Sequence, residues 1–252
     1  MTVRVEDSAA RWPQAGTAIV EWTPRARLTV ERAWLSPEEL TRGQRLVPPL
    51  GEQWLAARCW VRARLALRLG CDPADVPLLA DERGRLFLDG CVGPGDFNVS
   101  HTQHVLALAV SGSRVGVDVE EAPPAGEDLV ALAQVVGTAE EVDQLRHLPV
   151  TERSAAFQRW WVRKEAVLKA DGDGFLSDPR LVHVGVTQVE APEPWTVLDH
   201  GPLRHPDAEV TSPHTLLATA HDCGAGPVRT VVRAVPEPHT RTTAGAGGRQ
   251  PR

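Results

Sequence analysis

The run Val105-Leu106-Ala107-Leu108-Ala109-Val110 most constrains what this chain can fold into. Its successive apolar side chains leave no face for solvent, so it reads as a strand buried on both faces. Gly112 breaks the run, and a second strand over 115–120 follows at a spacing that predicts a hairpin. Further short strands are expected at 18–22, 86–88 and 97–99, and later at 182–189, 195–198, 215–221 and 229–235.

Helix signals separate the two strand regions. Ser36-Pro37-Glu38-Glu39 offers a cap, a proline suited to a first turn and a glutamate that closes a capping box. A helix over 52–69 carries Leu55, Cys59, Leu65 and Leu69 at helical spacing and stops at Gly70. Its Arg58, Arg62, Arg64 and Arg68 either attract an acidic partner or pair with the chain's own acids. Thr138-Ala139-Glu140-Glu141 is a second capping box, and a long helix over 151–170 ends near Gly172 and Gly174. The order is helices, strands, helices, strands. It predicts an α+β fold in two halves and disfavours a doubly wound parallel sheet. The expected divisions are a loosely ordered start at 1–15, halves at 16–121 and 122–236, and a disordered tail at 237–252. A linker rich in small residues and proline, 122–126, joins the halves.

Bulk properties exclude several classes. A formal net charge of −6 gives no basic excess for general nucleic-acid binding. Cys59, Cys71, Cys91 and Cys223 form no Cys-x-x-Cys pair, which disfavours a zinc or redox motif and suits a reducing compartment. Glu6 and Asp7 stand where a secretory signal is cationic and then apolar, and no apolar run approaches the ~20 residues of a membrane span. The expected location is the cytoplasm, with no membrane partner.

Two segments carry chemistry. In Gly116-Val117-Asp118-Val119-Glu120 the carboxylates share one strand face, with Cα atoms about 6–7 Å apart, and both can reach one ion. Such a pair is either an acidic solvent face or part of a Mg²⁺ site, since Mg²⁺ takes carboxylates, waters and phosphates. Gly116 lets another group approach the backbone. In Trp161-Val162-Arg163-Lys164-Glu165-Ala166-Val167-Leu168-Lys169, Glu165 and Lys169 share a helical face. They form either a surface ion pair or a flank of the same ion site. Ser100-His101 is a turn or a pair of phosphate donors, and Glu82-Arg83-Gly84-Arg85 is a solvated loop or a phosphate cation. Walker and Rossmann loops are absent.

With Phe97-Asn98-Val99-Ser100-His101 ahead of them, these segments resemble in order and spacing the motifs of 4′-phosphopantetheinyl transferases. The length is similar to the Sfp-like branch, in which one chain supplies two pseudo-symmetric halves with the active site at their interface. The resemblance implies transfer of phosphopantetheine from coenzyme A to a serine of an acyl or peptidyl carrier protein, releasing adenosine 3′,5′-bisphosphate. It implies Mg²⁺, with Mn²⁺ as an alternative ion, held by Asp118, Glu120 and Glu165. Lys169 would contact phosphate and protonate the leaving group, and Glu165 is a candidate base. Ser100, His101, Arg85, Arg58 and Lys164 would serve coenzyme A or the site, with Trp161 in support. A monomer acting in polyketide or nonribosomal-peptide synthesis is expected. The chain departs from the family pattern at Arg85, where relatives often have lysine, and at Gln53, where they often have arginine; Arg45 or Arg58 would compensate. A Mg²⁺-dependent pyrophosphate hydrolase and a non-catalytic carrier-binding paralogue are the competing functions.

Overall fold

The computed structural model describes residues 11–91, 95–123, 128–172, 178–203, 215–222 and 228–235. The expected tail, Gly174, Cys223, most of the linker and most of the first fifteen residues lie outside them. The strands are β1 Thr17–Pro24, β2 Leu78–Ala80, β3 Leu86–Leu88, β4 Asp96–His101, β5 Val105–Ser111, β6 Val115–Glu120, β7 Trp195–Pro202, β8 Leu216–Asp222 and β9 Arg229–Ala234. The helices are α1 Pro37–Arg45, α2 Leu50–Leu69, α3 Leu129–Val136, α4 Ala139–His147 and α5 Val150–Asp171. The fold is α+β.

Both capping boxes form. The Glu39 amide donates to Ser36 Oγ at 3.2 Å and the Ser36 amide donates to the Glu39 carboxylate at 2.9 Å. Thr138 and Glu141 repeat the exchange at the start of α4. Gly70 ends α2 at φ 70°, a left-handed conformation that glycine adopts without a Cβ penalty.

The strands form a four-stranded sheet ordered β4-β5-β1-β9, a three-stranded sheet ordered β6-β8-β7 and a small β2-β3 ribbon. The two main sheets pack face to face. Val20 and Trp22 of β1 and Ala107 and Ala109 of β5 meet Val115, Val117 and Val119 of β6 in one core. α2 covers the outer face of the first sheet with Trp60, Val61, Leu65 and Ala66. α3, α4 and α5 cover the second sheet, where Trp160 and Val167 pack against Ala218 and Ala220. Helices outside both sheets explain why every β5 residue is buried.

Two expectations fail on long-range pairing. β5 and β6 form no hairpin: β5 pairs antiparallel with β1 and β4, while β6 pairs with β8. The β6 valines bury against the face of the first sheet, so β6 stacks across β5 and cannot lie beside it. Residues 182–189 form an irregular segment with a bend at 186–188. Gly185 has φ 69° there, and its carbonyl accepts from Arg163 Nη1 at 3.1 Å. The amides of Val184 and Val186 donate to Glu141 and Gln144 side chains, which leaves them unavailable to a sheet. The two main sheets also draw strands from both ends of the chain. β6 joins the second sheet, and β9 returns to the first, running parallel to β1.

Candidate active site

Side chains weld β4 to β6. Asp96, Asn98 and Ser100 alternate along β4, so they point the same way. Each accepts an amide from β6: Val115 to Asp96 at 3.1 Å, Val117 to Asn98 at 3.1 Å and Val119 to Ser100 at 3.3 Å. This polar ladder fixes the register of one sheet edge on the other. It places Ser100 Oγ 2.8 Å from Asp118 Oδ1.

α5 lies directly on the other face of β6. A Cβ on Gly116 would come within 2.0 Å of the Ala166 carbonyl oxygen and 2.5 Å of the Ala170 nitrogen. Only glycine permits that approach, which brings Glu165 and Lys169 down to the strand. The Lys169 ammonium donates to Asp118 Oδ1 at 2.5 Å and to Ser100 Oγ at 2.9 Å. Asp118 and Glu165 are buried, and Asp118 Oδ2 and Glu165 Oε1 accept no hydrogen bond. Glu120 accepts from the Trp161 indole at 3.2 Å. Burial, then the neighbouring charge of Asp118, pushes the carboxyls of both Glu120 and Glu165 up to about 7, with Lys169 opposing.

Among the described residues no three His, Cys, Asp or Glu side chains form a ready-made metal cage. Mg²⁺ does not require one, because one or two carboxylates plus substrate phosphates often suffice. Buried carboxylate oxygens without partners, beside carboxyls whose ionisation is opposed, are a donor set that a hard divalent cation would satisfy.

A cleft of about 710 Å³ opens between α2, the loop before β3, β4 and the end of α5. Arg25, Arg58, Arg83, Arg85, His101 and Lys169 line it, and among the described residues no carboxylate does. Trp54 and Leu106 supply apolar wall. Arg58 stacks over Trp54 at 4.7 Å and pairs with Glu39 at 3.3 Å. Burial lowers its pKa to about 10, and its Nη1 has no hydrogen-bond partner. His101 is held below the usual histidine range by desolvation in the cleft and then by Arg25 and Lys169.

The structure therefore gathers Ser100, Asp118, Glu165 and Lys169, sets Glu120 beside them and puts His101, Arg58, Arg85 and Gln53 on the cleft. It does not bring Lys164. That ammonium is fully buried and donates to Glu141 at 2.7 Å and to the carbonyls of Pro179 and Val182. One residue before Glu165, it is turned about 100° around α5. The arginines of α2 also divide. Arg62 pairs with Glu39, and Arg64 and Arg68 pair with Glu21, so those three serve the fold. Asp96 is absent from the sequence motifs and Asn98 carries no role of its own in them, although both alternate with Ser100 along β4. Also absent from them are Trp54, four residues before Arg58, and Arg25, whose place on the cleft depends on distant pairing.

The family model of the 4′-phosphopantetheinyl transferase superfamily matches residues 114–218. The chain is 33% identical over 171 residues to the 4′-phosphopantetheinyl transferase HetI of Nostoc sp., covering 66% of this chain and 71% of HetI. It is 27% identical over 139 residues to a 4′-phosphopantetheinyl transferase of Bacillus subtilis, covering 53% and 60%. It is 30% identical over 114 residues to AcpT of Salmonella typhimurium, named for the same activity, covering 45% and 58%. The chain belongs to the 4′-phosphopantetheinyl transferase superfamily.

Proposed function

We propose that this enzyme transfers the 4′-phosphopantetheine group from coenzyme A to a serine of an acyl or peptidyl carrier protein and releases adenosine 3′,5′-bisphosphate. The observation that carries the proposal is the contact of a cationic cleft with a buried acidic centre through Lys169. A polyanionic nucleotide suits the cleft, and its pyrophosphate then meets Asp118, Glu165 and Lys169.

Asp118, Glu120 and Glu165 would hold Mg²⁺, or Mn²⁺ in its place. Such an ion supplies neutralisation of the pyrophosphate charge and polarisation of phosphorus. Ser100 and His101 would orient phosphate oxygens, and Arg58 would add charge above the Trp54 ring. The Lys169 ammonium is held by Asp118 and Ser100, so it can donate a proton to a departing phosphate oxygen without reorganisation. Glu165, directly or through a bound water, would accept the serine proton; its carboxyl is pushed up to about 7 without a metal ion, and a cation held there would lower it. This chemistry needs positioning and charge more than covalent help.

The proposal extends to a cytoplasmic monomer that serves polyketide or nonribosomal-peptide carriers and needs no nucleic acid or membrane. In support, one chain supplies both sheets that bound the site, and no helix among the described residues is long and apolar enough to cross a membrane. The test is incubation of the protein with coenzyme A, Mg²⁺ and a panel of apo-carriers, read by mass spectrometry. Addition of one phosphopantetheine mass to a carrier is expected. Loss of phosphopantetheine to water without any modified carrier would make the protein a hydrolase instead.

A further inference from the structure

The last turn of α5 is held from outside. A helix ends with carbonyls that lack intrahelical partners. Here Arg85 Nη1 donates to the carbonyl of Lys169, and Arg114 Nη2 donates to that of Asp171. The Arg85 contact comes from across the cleft. Its other guanidinium nitrogen, Nη2, pairs with Asp96 at 3.0 Å, and Asp96 in turn accepts the Val115 amide at 3.1 Å. Arg85 thus joins the loop before β3, the first rung of the β4–β6 ladder and the residue whose ammonium reaches Asp118 and Ser100. A cation at a helix C-terminus is also favoured by the helix dipole. Arg114, whose side chain is half-exposed, holds the Asp171 carbonyl, pairs with the Asp171 carboxylate at 3.9 Å and lies over the Trp195 ring, outside the cleft lining.

We propose that Arg85, through Asp96, is a positioning residue for Lys169, and that this role rather than capture of coenzyme A is its main contribution to the transfer. A planar guanidinium presents its donors on separate nitrogens in a fixed fork, so Arg85 holds a carbonyl and a carboxylate in one set geometry. An ammonium would hold both at the cost of alignment. This inference rests on the transferase reading. It goes beyond that reading by assigning a cleft-lining arginine to the geometry of the helix end.

The test compares wild type, Arg85→Gln, Arg85→Lys and Asp96→Asn in transfer kinetics with a carrier. Coenzyme A binding is measured in parallel by calorimetry and folding by thermal melting. A displaced Lys169 is expected to lower kcat about tenfold to a hundredfold with little change in coenzyme A affinity. Arg85→Lys should recover part of kcat. Asp96→Asn, at a residue outside the cleft lining, should reproduce the same kcat loss, and the double variant should lose little more than either single one. Weaker coenzyme A binding with kcat unchanged in Arg85→Gln, and normal kinetics in Asp96→Asn, would overturn the inference. So would additive losses. If Arg85→Gln does not fold, Arg85→Lys and Asp96→Asn still decide, because a coenzyme A-binding role predicts no kcat effect at Asp96. A wild type that modifies no carrier would sink the transferase reading and is recognised before any variant is compared.

Discussion

Two lysines on one helix show what side-chain surroundings add to a sequence. Lys164 and Lys169 are both long, flexible cations on α5, and both meet a carboxylate within 2.7 Å. Lys164 is fully enclosed with Glu141, so removing it strands a buried carboxylate. Such a loss costs about 3–5 kcal/mol. Lys169 is partly open to the cleft, and its removal leaves Asp118 near solvent and substrate. Lys164→Ala is expected to lower the melting temperature sharply. Lys169→Ala is expected to lower transfer by about 10²–10³-fold with a near-normal melt, as for removal of a donor that stabilises developing charge. Parallel melting curves and carrier-modification rates check both halves; reversed outcomes would mean the two faces of α5 have been misassigned. The motif and the Glu165–Lys169 spacing were legible because they are local. The fate of Lys164 was not, since it depends on α4 and on the turns around Pro179 and Val182.

At the scale of elements, the same division holds. The capping boxes at Ser36 and Thr138, the stop at Gly70 and the extent of α2 and α5 followed from short-range rules. Strand partners did not. The apolar run of β5 announced burial on both faces, yet nothing local distinguished a hairpin with β6 from a passage between sheets. The alternation in β6, with valines on one face and Gly116, Asp118 and Glu120 on the other, suits either arrangement. Gly116 is where that alternation becomes a packing requirement. Adding one methyl there drives α5 off β6, because the contact is with helix backbone that cannot rotate away. Gly116→Ala is expected to destabilise the protein by about 1–3 kcal/mol, the usual cost of overpacking. It should also lower transfer by separating Lys169 from Asp118. Urea titration and transfer rates on the same preparation check it, and a variant of full stability and rate would show that α5 does not rest on that glycine.

Across the whole molecule, the chain crosses back on itself, and a buried charge cluster ties the crossing. β9 runs beside β1 at the edge of the first sheet, more than 200 residues downstream of its partner. Glu21 on β1, with no solvent exposure, receives Arg64 from α2 at 2.6 Å, Arg68 from α2 at 2.9 Å and Arg233 from β9. Burial alone would raise this carboxyl. The hydrogen bonds from Arg64 and the charges of Arg68, Arg64 and Arg233 outweigh it and hold the group down at about 2. A carboxyl depressed in the folded state contributes stability above its unfolded value of 4.5 and loses it as pH falls toward about 2. The shift corresponds to stabilisation on the order of 3 kcal/mol at neutral pH. Glu21→Gln, which keeps the shape and removes the charge, should therefore be less stable than wild type at pH 7. Below pH 4.5 the gap should narrow, because a protonated Glu21 is nearly isosteric with glutamine. Urea unfolding of both proteins at several pH values between 7 and 3 measures that gap. A constant difference across the range would mean that the three arginines do not bind β9 to the sheet through this carboxylate.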